Sequence, residues 1–96
     1  MLNFVYLLRC TDDSLYCGWT PDIAARIAAH KSGKGAKYTK SHKVEELVYL
    51  ELCEDKSAAL KREAAIKKLP REQKLALCKE HANETAALMV EFEIYE

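Results

Sequence analysis

Two tyrosines, an arginine, a histidine and a glutamate are the side chains of this chain whose types and spacing could share one reaction. Tyr6 closes the run Phe4-Val5-Tyr6, and Tyr16 opens Tyr16-Cys17-Gly18. Ile23, Arg26, Ile27 and His30 fall at i, i+3, i+4 and i+7, the spacing of one helical face. An arginine on that stripe either snorkels from its edge or presents a positive group to a phosphate; the histidine is either a satisfied core residue or part of the chemistry. Ala59, Glu63 and Ile66 repeat the pattern with a carboxylate. Taking a carboxylate partly out of water is costly unless it is paired or bound to metal. Lys67, four residues on, is a local partner; a divalent cation with oxygen ligands, Mg²⁺ or Mn²⁺, is the other reading. Tyr6 and Tyr16 alone read equally as core aromatics, and whether they share a sheet face depends on hairpin register. Gly18 inside a strand marks close approach by another backbone or a ligand.

The elements that must position these groups are legible in outline. Phe4 to Cys10 is a short apolar strand, Thr11-Asp12-Asp13-Ser14 a turn, and Leu15 to Trp19 a second strand, so the pair is a hairpin. Thr20-Pro21-Asp22 starts a helix, with Thr20 as cap, that runs to about Lys31. Ser32-Gly33-Lys34-Gly35 breaks it, and Ala36 to Ser41 is ambiguous, with a short helical turn as one reading. Val44 to Leu52 is a third strand. Asp55 or Ser57 caps a helix to Leu69, and Pro70 opens another to about His81. Val90-Glu91-Phe92-Glu93-Ile94 alternates apolar and acidic, which predicts a half-exposed strand that folds back on its own sheet or pairs with another copy. The fold class is therefore α/β (α+β), a three-stranded, mainly antiparallel sheet flanked by helices. The expected organisation is one domain over 1–80 and an acidic extension over 81–96.

Length and composition limit the alternatives. Ninety-six residues make one domain. No apolar run approaches the roughly 18 residues of a membrane span, and no signal peptide is recognised at the start, so the expected location is cytoplasmic. Four scattered cysteines without a CxxC pair predict free thiols, although Cys10 and Cys17 could face each other across the hairpin. The net charge of zero hides an asymmetry. Ile23 to Val44 holds Arg26, Lys31, Lys34, Lys37, Lys40 and Lys43 and no acid, whereas His81 to Glu96 holds four glutamates and no Lys or Arg. A basic block of this kind suits a polyanion face or is simply a solvated loop.

Together, the order and spacing of these residues resemble the GIY-YIG nuclease family over roughly residues 3 to 75. Gly33-Lys34-Gly35-Ala36-Lys37-Tyr38 and the pairs Arg62-Glu63 and Ile66-Lys67 are similar to runs in its small single-domain bacterial members. Phe4 stands where the family name has Gly, Cys17 where it has Ile, and Lys67 to Lys79 lacks the Asn that many active members carry. The resemblance implies an endonuclease acting on DNA, using one divalent metal, with a role in repair or recombination; the alternative is a non-catalytic nucleic-acid-binding module. It implies that Tyr6 or Tyr16 activates water, Arg26 holds the phosphate, His30 assists proton transfer and Glu63 holds the metal. Gly18, Lys34, Lys37, Tyr38 and Lys40 would contact substrate, and without the Asn the site is either weaker or completed by Lys37, Tyr38 or Gln73. Read as residues, Trp19 and Tyr38 are either a two-residue stacking platform or core aromatics.

Overall fold

The computed structural model describes residues 2–94, without the side chain of Lys40. Strands β1 (Asn3–Cys10) and β2 (Leu15–Thr20) form the hairpin; α1 (Ile23–Lys31) and the one-turn α2 (Lys37–Ser41) follow; β3 (Val44–Cys53) completes the sheet; α3 (Lys56–Lys67), α4 (Arg71–Glu80) and α5 (Ala82–Glu91) end the chain. The strand order is β2-β1-β3, antiparallel throughout. No helix among the described residues is long and apolar enough to cross a membrane.

β1 is central because its apolar run satisfies both faces of the sheet. Phe4, Tyr6 and Leu8 pack with Ile23 and Ile27 of α1, Leu47 and Leu50 of β3, and Ile94. Val5 and Leu7 point the other way, onto Cys17, Tyr49, and Ala59 and Ile66 of α3. A register shift between Leu7 and Leu8 puts neighbouring Val48 and Tyr49 on the same side, as a bulge does. The result is three layers, with α1 and α5 on one face and α3 and α4 on the other.

Local signals explain most boundaries. Asp22 caps α1 by accepting from Ala25 N, and Asp55 caps α3 by accepting from Ala58 N. Thr20 is not the cap expected for α1: it ends β2, and its Oγ1 bonds Asp22 N from outside the helix. Cys10 and Cys17 do not face each other, since Leu7 lies opposite Cys17 and Val44 opposite Cys10. All four thiols are free.

The tail corrects the strand expected over Val90 to Ile94. Ala82–Glu91 is helical, and Phe92 is its C-cap. Ala86, Ala87, Leu88 and Met89 are good helix formers, and Leu88, Met89 and Phe92 pack onto the first core cluster. The period of that contact is helical; the alternation at Val90 to Ile94 is too short to override it. Phe92 meets Phe4 edge to face, with centroids 4.9 Å apart. Thr85 Oγ1 accepts from Leu50 N on β3. Tyr95 and Glu96, which end the acidic segment, lie outside the described residues.

The hairpin register decides the tyrosine question. Tyr6 pairs with Gly18 and Leu8 with Tyr16, so Tyr6, Tyr16 and Gly18 share one face. A Cβ on Gly18 would lie 2.5 Å from Tyr6 Oη and 2.7 Å from its Cζ. The close approach at this glycine is therefore that of the Tyr6 ring. Gly18→Ala should destabilise the fold by about 1–3 kcal/mol, the usual cost of forcing volume into a packed site, measured by urea unfolding. An unchanged midpoint would mean that the ring has room to move.

Candidate active site

The residues converge at the β2 edge of the sheet, and each arrives there for a local reason. Tyr6 is 1% exposed. Its Oη is 2.9 Å from His30 Nε2. His30, on α1, is equally buried at 1%. Its Nδ1 is 2.7 Å from Thr39 Oγ1 on α2, and Thr39 Oγ1 donates to Ala36 O at 3.0 Å. Gly35 makes this closure feasible: a Cβ there would fall 2.4 Å from His30 Nδ1. The glycine-rich segment after α1 thus folds directly over the imidazole.

Tyr16, half-buried on β2, packs against both partners, with centroids 6.3 Å from Tyr6 and 5.2 Å from His30. Tyr38 stacks on Tyr16 at 5.8 Å, and His42 stacks on Tyr38 at 4.1 Å. The rings form a ladder from the buried pair to the surface, where His42 Nδ1 meets Asp12 of the hairpin turn. The two hydrogen bonds of Ser14 and that contact with His42 hold the Asp12 carboxyl down at about 2. Trp19 is not in the ladder; it lies on the opposite face beside Lys56.

Arg26 departs from its expected stripe. Ile23, Ile27 and His30 are the buried residues of α1, whereas Arg26 is exposed. At about 100° per residue it falls at the edge of the stripe on the His30 side, where a guanidinium keeps its hydration. Its charge still reaches inward, favouring ionised Tyr6 and Tyr16 and disfavouring protonated His30.

Glu63 comes from the other face. α3 lies against β2 closely enough for Cys17 Sγ to approach Glu63 O at 3.9 Å. The Glu63 carboxylate is 16% exposed and pairs with Lys67 at 3.3 Å. Its charge raises both tyrosines, which it can do because edge strand β2 is all that separates the faces. Burial is the leading cause of the shifts at Tyr6, Tyr16, Cys17 and His30. It pushes Tyr6 far above the ordinary phenol range, with the neighbouring Tyr16 adding to it. It raises Tyr16 while Lys67 opposes, raises Cys17 to about 11 with help from Glu63, and lowers His30. At neutral pH the centre is two phenols and a neutral imidazole, with charge confined to its rim.

The set of groups bears on metal binding. Among the described residues, no group of three His, Cys, Asp or Glu could enclose an ion. One half-buried carboxylate fits a hard divalent cation that keeps most of its waters, and does not fit a site that strips them. Lys34 and Lys37 are exposed, Lys37 on α2 beside the ladder, and Gln73 is exposed on α4. Lys40, expected to contact substrate, lies outside the described side chains. Sequence reasoning missed Thr39 and the role of Gly35. The run Gly33 to Tyr38 stops one residue short of the hydroxyl that His30 needs.

With this geometry in place, the family follows. Residues 2–76 match the model of the GIY-YIG catalytic domain. The chain is 52% identical over 80 residues to the UPF0213 protein of Syntrophus aciditrophicus, covering 82% of this chain and 92% of that protein. The solution NMR structure of a UPF0213 protein from Bacillus halodurans aligns with TM-score 0.55 and 40% identity, over 82% of this chain and 84% of that one. That of a protein from E. faecalis aligns with TM-score 0.60 and 40% identity, over 85% and 88%. The chain belongs to the GIY-YIG family and, within it, to the UPF0213 proteins.

Proposed function

We propose that this protein is a metal-dependent endonuclease that hydrolyses DNA phosphodiester bonds, with Tyr6, Tyr16, Arg26, His30 and Glu63 as its catalytic residues. The observation that carries the reading is the buried Tyr6–His30 hydrogen bond, flanked by an exposed arginine and a half-buried carboxylate. A phenol held above its usual range cannot rest as phenolate at neutral pH. It acts as a base only if its own proton leaves as the new one arrives. Neutral His30 supplies that exit. Water attacks phosphorus and gives a proton to Tyr6 Oη, while the Tyr6 proton passes to His30 Nε2. The new P–O bond forms as the bond to the departing oxygen breaks. Tyr16 packs against both rings and fixes their orientation.

Arg26, at the solvent side of this pair, binds the phosphate oxygens and stabilises the charge that grows in the transition state. Glu63 would hold a divalent cation, Mg²⁺ or Mn²⁺, whose chemistry there is to neutralise charge on the phosphate and the departing oxygen. Lys34, Lys37 and Lys40 bind flanking phosphates, which makes affinity sensitive to salt and indifferent to sequence. A non-catalytic nucleic-acid-binding module is the second reading, favoured by the Lys67 ion pair that already occupies Glu63.

Three outcomes test the proposal. With labelled duplex, flap and four-way-junction DNA in Mg²⁺ or Mn²⁺, wild type should cut at least one substrate, and Glu63→Ala should cut none while binding the same DNA. Binding without cleavage by both proteins would select the second reading. Arg26→Ala should lower turnover about 10²–10³-fold and move stability by no more than about 0.5 kcal/mol, as expected of an exposed side chain. Loss of the fold instead would make Arg26 a structural residue. For pH, the sign follows from His30. Burial, and then the Arg26 charge, lower its pKa from the ordinary imidazole value, and the ring accepts no proton from Tyr6 once acid has filled its lone pair. The acid limb of kcat/KM, followed between about pH 5 and 8, should therefore fall below pH 6.5. A limb above it would remove His30 from the proton path.

A further inference from the structure

We infer that Thr39 is a positioning residue that fixes the tautomer of His30, leaving the Nε2 lone pair aimed at the Tyr6 hydroxyl; the catalytic consequence rests on the nuclease reading above. Three buried side chains meet in sequence: Tyr6 Oη to His30 Nε2 at 2.9 Å, His30 Nδ1 to Thr39 Oγ1 at 2.7 Å, and Thr39 Oγ1 to Ala36 O at 3.0 Å. The Thr39 hydroxyl has one proton. The Ala36 carbonyl can only accept, so that proton points to it. Thr39 Oγ1 must then accept from His30 Nδ1–H. A neutral imidazole has one N–H, which leaves Nε2 bare to accept from Tyr6. Every donor in this directed chain has an acceptor.

The opposite tautomer breaks the chain at the residue that matters. Nε2–H would donate to Tyr6 Oη and drive the phenol proton elsewhere. Among the described residues His30 is the only hydrogen-bond partner of that hydroxyl, and Tyr6 is 1% exposed. A buried hydroxyl proton without an acceptor is costly. An imidazole in water favours the proton on Nε2, so this protein has to impose the less common form. Gly35 lies against the Nδ1 side of the ring, where a Cβ would fall 2.4 Å from Nδ1, so only a residue without a Cβ fits there. Thr39 is 2% exposed and acts only through the imidazole.

The test separates this assignment from the nuclease reading. Long-range ¹H–¹⁵N correlation of the His30 ring at neutral pH reads the tautomer directly, without substrate or metal. Wild type and Thr39→Ser should show a protonated Nδ1 and a bare Nε2. Thr39→Val, which keeps the shape and loses the hydroxyl, should move the proton to Nε2. Where DNA is cut, Thr39→Val should slow turnover by about 10²-fold, the scale of one lost proton transfer, with KM little changed, and Thr39→Ser should restore it to within a few fold. Wild type with the proton on Nε2 overturns the proposal, as does a Thr39→Val ring that keeps its proton on Nδ1. If Thr39→Val does not fold, the wild-type spectrum still decides. If wild type cuts nothing, the nuclease reading fails and the tautomer assignment stands or falls on the spectra alone.

Discussion

The hydrogen bond between Tyr6 and His30 is the constraint around which this small domain is arranged. It joins the central strand to the first helix through two side chains that are both buried. A buried hydroxyl or imidazole left unpaired costs roughly 1–3 kcal/mol, a large share of what a domain of this size has to spare. Both ends of the bond are therefore built around. Gly18 gives the phenol its space on the neighbouring strand, and Gly35 gives the imidazole its space under the following loop. Thr39 satisfies the second ring nitrogen and Ala36 satisfies Thr39. Two glycines, one threonine and one carbonyl together accommodate one buried tyrosine–histidine pair.

Electrostatics follows the same division between inside and rim. The phenols and the imidazole are kept neutral by burial, which is the only inexpensive way to hold three titratable groups in one pocket. The charges stay where water can solvate them. Arg26 sits at the exposed edge of its helical stripe, and Glu63 and Lys67 pair across one turn of α3. A guanidinium fully inside the stripe would have needed a buried counter-charge, and none faces it from β1 or β2. Placed at the edge, it can meet an anion from solvent and still lower the cost of ionising Tyr6 and Tyr16. Its field also disfavours a second positive charge on His30, consistent with an imidazole that rests neutral.

Much of this was readable from sequence because it depends on period and on local capping. The apolar run of β1, the turn at Asp12 to Ser14, the Asp55 cap and the Pro70 break all act over a few residues, and all recur in the structure. The spacing of Ile23, Ile27 and His30 was enough to predict a buried face, but not to say on which side of it Arg26 would fall. That depends on where the sheet lies. The tail was misread for a related reason. Five alternating residues fit a strand in isolation, but Leu88, Met89 and Phe92 gain more by packing as a helix on Phe4 and β3. Hairpin register and the Thr39 contact were unreadable on principle. Register is set by pairing across the sheet, and Thr39 meets His30 only after the glycine-rich segment has folded back over α1.

The sheet also separates what makes the domain stable from what makes the site. The order β2-β1-β3 places the candidate site at the β2 edge, with α1 and α3 reaching it from opposite faces. The opposite edge, β3, is where α5 docks and where Thr85 takes up the Leu50 N–H that an edge strand would otherwise leave to solvent or to another chain. Substitutions along α5 therefore act on the core cluster around Phe4 and Leu50 and leave the ring ladder in place. Those at Gly18 or Gly35 act on the ladder first and on the core through Tyr6. β1 is the one element common to both, and Tyr6 is the residue on it that belongs to the core by burial and to the site by its hydroxyl. A chain this short has no room for a separate scaffold, so one ring serves as packing on its faces and as chemistry at its tip.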